Sequence, residues 1–171
     1  AGHETGAHSL YHETLGDSLF EIPGIYPLLP EEVRPRIKLA TDIVEDIVGH
    51  KVVSWRCPRL FGGTHVTNAL ESLGYECDAT YPMYYYNEQL FPYHPSQENW
   101  TEQGSLNLIE IVQFADMAME SKDAYGRDKD QWPLYRIKST VAFIPHIESF
   151  MSYVEKNDQS QKPIVLCFYF H

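Results

Sequence analysis

The chain has 171 residues, is 43% hydrophobic and carries a formal net charge of −11. That length supports one domain with a real core, and no apolar run reaches the ~20 residues of a membrane helix. The acidic balance and scattered Lys and Arg argue against nucleic acid or an anionic membrane as partner; a neutral or cationic partner is easier to accept.

Residues 1–28 are rich in Gly, His and turn formers and read as loop or strand-end structure. From Pro30 to Val48, apolar residues recur at three- and four-residue spacing (Val33, Ile37, Ala40, Val44, Ile47). This predicts an amphipathic helix stopped by Gly49. Lys51–Trp55 reads as a short strand. Thr64 reads as the N-cap of a helix through Leu73 that Gly74 ends. Tyr75–Ala79 is a second strand, 80–107 a long ordered loop, and Leu108–Phe114 a third strand. Residues 120–136 are polar and read as a surface excursion. Pro145 to Lys156 predicts another helix. Pro163–Phe170 is nearly all apolar, as expected of a strand buried on both faces. Strands alternating with helices predict an α/β domain with mostly parallel strands and no internal boundary over 1–171.

Cys57, Cys77 and Cys167 are odd in number and widely spaced, so a cysteine zinc site is not expected. Buried free thiols are the simpler reading, and they lean toward a reducing, cytoplasmic setting. The 12 Tyr, 8 Phe and 3 Trp serve either sugar stacking or core packing. For the run Met83–Tyr86 with Phe91, Tyr93 and Trp100, packing is the commoner use.

The chemistry is concentrated in GHETGAHSLYH, Gly2 to His12. His8 and His12 are four apart, so one turn of chain brings both imidazoles to one ion. A zincin is excluded: HExxH from His3 would need a histidine where Ala7 stands, and from His12 where Gly16 stands.

The segment AGHETGAHSLYH resembles the G-H-E-[IV]-G-x-H-[ST]-x-x-H stretch of polysaccharide deacetylases with a NodB-homology domain, carbohydrate esterase family 4. Further motifs follow in the family's order. WRCPR (Trp55–Arg59) resembles its Arg-x-Pro motif, LGYECDAT (Leu73–Thr80) its L-G-Y-x-Y-D-[SA]-S strand, and LIEIVQFAD (Leu108–Asp116) its "ieiP" strand, with Val112 in the proline's place. PIVLCFYFH (Pro163–His171) resembles the terminal strand that ends in a histidine.

The resemblance implies a distorted, TIM-like (β/α)7 barrel, here expected to be partial and truncated at both ends. It implies a divalent metal, zinc first, with His8 and His12 as two ligands. The family's third ligand and general base come from an Asp-Asp strand upstream of this region. A chain without that strand is expected to be inactive and to associate through exposed strand edges. The implied reaction is hydrolysis of N-acetyl groups on a carbohydrate. His171 is implied as general acid, Asp78 as the carboxylate that holds it, and Arg56 as the group that orients the base. His146 is a competing acid. A carbohydrate-binding module, a cyclic-amide hydrolase of allantoinase type and, less favoured, a non-haem iron enzyme are the alternatives.

Overall fold

A computed structural model describes residues 2–122, 126 and 128–169 of the chain. The first helix, α1, is Pro30–Val48. Proline opens it at no cost, because the first N–H of a helix has no partner. The Glu32 carboxylate accepts the Leu29 N–H at 3.0 Å, tying down the entry. Gly49, at φ 75°, closes the helix in the left-handed conformation, and its N–H bonds the Glu45 carbonyl. The predicted stripe is real. Val33, Ile37 and Ala40 are buried, and each of the two larger side chains contributes about 1.5–3 kcal/mol by leaving water.

Three two-residue strands follow in sequence: β1 Ser54–Trp55, β2 Cys77–Asp78 and β3 Ile109–Glu110. They form a parallel sheet in the order β1-β2-β3, with Trp55 opposite Asp78 and Asp78 opposite Glu110. The sequence predicts longer strands; two residues of each enter the ladder. Ala7 adds a parallel bridge to Trp55 on the free edge of β1. Its N–H bonds Ser54 O at 3.0 Å and its carbonyl takes Arg56 N–H at 3.1 Å. A parallel α/β arrangement is thus present, while a closed barrel is not evident among the described residues.

Helix α2, Thr64–Leu73, connects β1 to β2. Gly63, not Thr64, is its N-cap, and the Thr64 hydroxyl accepts the Trp100 N–H instead. Helices α1 and α2 cover one side of the sheet, in a core of Val33, Ile37, Trp55, Cys57, Val66, Leu70 and Leu108. Tyr81, Tyr93 and Trp100 are buried and meet edge to face, so these rings pack a core.

The described chain divides into two compact units: Ala1–Tyr81 with Pro92–Ile111, and Pro82–Phe91 with Val112–His171. The second holds α3 (Met83–Tyr86) and α4 (Thr140–Asn157). Helix α4 begins five residues before the expected Pro145. A proline inside a helix costs about 3 kcal/mol; burial of Val154 and of Phe143 and Phe150, the two rings against Phe114, offsets it. The segment from Pro163 is not the doubly buried strand its composition predicts. Val165, Leu166 and Phe168 are exposed, and among the described residues its one strand partner is Gln113, bridged to Cys167. An apolar strand is buried on both faces only when layers cover both.

One close approach fixes the loop that follows His12. A Cβ on Gly16 would meet Gly62 O at 2.3 Å and Phe61 O at 2.6 Å, and the adjacent Asp17 N–H donates to Gly62 O at 2.7 Å. The Gly62 carbonyl cannot move away without losing that bond. Gly16→Ala is expected to lower stability by about 2–3 kcal/mol in urea unfolding. Gly2→Ala, with nothing within 4 Å, is expected to leave it unchanged.

Candidate active site

The sheet has a covered face and an open face. In each strand the first residue is partly or fully accessible and the second is buried. Paired residues of neighbouring strands project to the same side, and successive residues to opposite sides. Ala7, Trp55, Asp78 and Glu110 therefore point beneath the helices. His8, Arg56 and Ala79, one residue further along, lie at the open side; His8 is exposed, and Arg56 and Ala79 are half-buried.

Ala7's place at the sheet edge delivers His8. Its Nδ1 lies 2.9 Å from the carbonyl of Arg56. A carbonyl only accepts, so Nδ1 carries a proton, and in the neutral ring the lone pair is then on Nε2, the arrangement that suits a metal ligand. The chain then turns back. Ser9 and His12 both adopt left-handed backbone, at φ 64° and 59°, and the Ser9 hydroxyl oxygen accepts His12 N–H at 3.1 Å. The two imidazoles end with centroids 5.3 Å apart, edge to face. A tight loop, not a helical turn, brings them together.

Arg59 supports that loop by donating to the His12 carbonyl at 2.7 Å. Arg59 and Leu60 are also left-handed, at φ 58° and 60°. Of the seven non-glycine residues with positive φ among those described, Ser9 and His12 form the histidine turn and Arg59 bonds to it. Such conformations cost of order 1–3 kcal/mol each and gather at functional sites. Arg56 follows β1, and its Nε donates to Ala79 O at 2.8 Å, which stretches the guanidinium across the ends of β1 and β2.

Asp78 is not brought to the histidine pair, although it lies within electrical reach of Arg56. It is fully buried on the covered face, where its Oδ1 accepts the Thr80 hydroxyl. Beside it lies Glu110, equally buried, which the sequence reading did not single out. Glu110 Oε1 accepts the N–H groups of Thr80 (3.0 Å) and Tyr81 (2.7 Å). Burial pushes both carboxyls up. Asp78 rises to about 7 although Thr80, Glu110 and Arg56 oppose the shift. Glu110 is driven well above the ordinary carboxylate range, by burial first and then by the Asp78 charge. Burial, with the Asp78 charge added, also raises the Cys57 thiol well above its usual value, so it is an inert neighbour.

A signal for Glu110 was available: it shares its parity with Leu108, Val112 and Phe114, all buried. The sequence reading also treated His146 only as a competitor. In the second unit its Nδ1 pairs with Asp116 Oδ2 at 2.7 Å, while Ser149 donates to Asp116 Oδ1 at 2.6 Å. No spacing rule would have joined them. His171 lies outside the described residues.

His8 and His12 fit a divalent ion in residue type and mutual placement. Among the described residues no group of three His, Cys, Asp or Glu converges. Residues 1–77 match the sequence profile of the family described as polysaccharide deacetylase. No curated protein matches the chain. A crystal structure from Mycobacterium smegmatis, assigned as a polysaccharide deacetylase, has a similar fold, with a TM-score of 0.55 at 18% identity. The superposition covers 98% of this chain and 50% of that one, so the chain spans about half its length.

Proposed function

We propose, from the match of residues 1–77 to the polysaccharide deacetylase family, that the chain supplies the metal-binding half of a hydrolase that removes N-acetyl groups from a carbohydrate. The observation that carries this reading is the histidine pair. His8 and His12 meet at the end of a parallel strand, with the His8 tautomer fixed by Arg56 O. Ligands of α/β sheets sit at the carboxyl ends of strands, where this pair lies.

On this reading the three parallel strands and the Ala7 bridge are one arc of a barrel, and the open face looks into it. His8 and His12 hold a divalent ion, zinc first, together with a carboxylate from outside the described residues. Such an ion supplies Lewis-acid polarisation of the acetyl carbonyl and of a water molecule. His8 binds through Nε2 because Nδ1 is committed to Arg56 O. The Arg56 guanidinium, set by Ala79 O, orients the carboxylate base and keeps it ionised by opposite-charge pairing. His171 protonates the leaving amine. Asp78, on the covered face, serves the turn behind Arg56.

The reading is tested with the natural full-length protein. Acetate release from N-acetylated oligosaccharides is expected, with loss in chelator and recovery on adding zinc. Sugar binding with no acetate release at any metal loading would favour a carbohydrate-binding module and sink the hydrolase.

A further inference from the structure

Glu110 lies beneath the candidate site without facing it. One oxygen accepts two consecutive backbone N–H groups, those of Thr80 and Tyr81. Its other oxygen and Asp78 Oδ2 are both buried and reach no hydrogen-bond donor. The two carboxyls neighbour one another across the Asp78–Glu110 register. One proton held between the two carboxyls would satisfy both orphaned oxygens at once.

The far side of this pair reaches the site. Asp78 Oδ1 accepts the Thr80 hydroxyl, whose oxygen in turn accepts Cys57 N–H at 2.9 Å. That N–H and the Arg56 carbonyl belong to the same planar peptide. Thr80 holds one edge of it, and the His8 ring holds the other. The next carbonyl back along the turn, that of Ala79, takes Arg56 Nε. Two buried carboxyl groups are a costly way to fill a core, and apolar residues of similar volume are often neutral or better. Their justification here is geometric: an apolar pair offers no acceptor for the Thr80 and Tyr81 N–H groups and none for the Thr80 hydroxyl.

The geometry points to Glu110 as a positioning residue of the candidate site: it fixes the Ala79–Tyr81 turn, which aims Arg56 through the Ala79 carbonyl and anchors the Arg56–Cys57 peptide that orients His8. This role rests on the proposed function only in that Arg56 and His8 serve a site. Arg56 and Cys57 from the end of β1, and Tyr75 and Cys77 from β2 and its approach, are the titratable groups within electrical reach of the pair.

The test uses the natural full-length protein without metal or substrate, so a failure to release acetate leaves its outcome untouched. Exchange of the Arg56 Nε–H is followed by NMR, as protection relative to free arginine at the same pH. Glu110→Ala is expected to cut that protection about tenfold, the loss of roughly one hydrogen bond's worth of order. Glu110→Gln keeps an acceptor for the two N–H groups and an amide donor for Asp78, and it serves if the alanine variant does not fold. Wild-type protection is expected to fall as pH rises from about 5.5 to about 8 and the pair gives up its proton, with Glu110→Gln staying level. A folded Glu110→Ala with full protection, or identical pH profiles for wild type and Glu110→Gln, would overturn the role.

Discussion

Replacing His8 by alanine in the natural full-length protein is expected to lower zinc affinity by at least about 100-fold and to remove acetate release. The size follows from what the ring is made to do. Its Nδ1 is spent on Arg56 O, so its one lone pair is already directed before any ion arrives. Removing a preset ligand costs more than removing a mobile one, because no ordering entropy is recovered. His12→Ala is expected to behave alike, since the left-handed turn at Ser9 and His12 brings that ring to within 5.3 Å of His8. Ser9→Ala removes only the hydroxyl that takes His12 N–H; a loss of several-fold is expected, because the peptide can still turn. Isothermal titration with zinc separates these cases. Equal affinity in wild type and His8→Ala would mean that the ion, if any, binds elsewhere.

The second large effect is on stability. Asp78 and Glu110 are raised in the folded chain above their values in the unfolded one, Asp78 to about 7 from 3.8. Between those values the folded state holds more protons than the unfolded state, so stability falls as pH rises. The favourable contribution is complete at acidic pH and is lost on the approach to pH 7 and above. At 1.36 kcal/mol per unit, the fall is about 3 kcal/mol between about pH 5 and about pH 8. Glu110→Gln holds the donor toward Asp78 permanently in place. It is therefore expected to be slightly less stable than wild type at about pH 5 and more stable at about pH 8, with unfolding curves that cross. Parallel curves across that range would show that the two carboxyls do not share a proton.

How much of this was legible in the sequence depends on the range of the interactions involved. Helices α1 and α2 could be read from local periodicity, since Val33, Ile37, Val66 and Leu70 each bury on one side of their own helix. Gly49 and Gly74 gave the stops because both take left-handed backbone there. The His8–Ser9–His12 group was legible as a motif, but its shape was not. The turn relies on the Ser9 hydroxyl, Arg59 and the edge of β1, the last two about 50 residues away. Glu110 shares the buried parity of Leu108 and Val112, but the partner that gives its burial a meaning was hidden, because Asp78 is 32 positions earlier and belongs to another strand. The exposed Val165, Leu166 and Phe168 show the same limit from the other side: apolar composition reports what a strand can bury, and neighbours decide what it does bury.

The most direct measurement is anomalous diffraction at the zinc edge from crystals of the full-length protein. A peak about 2.1 Å from His8 Nε2, shared with the His12 ring and completed by a carboxylate, is the predicted result. A fully occupied zinc bound away from His8, or no peak at this pair at saturating zinc, would contradict it.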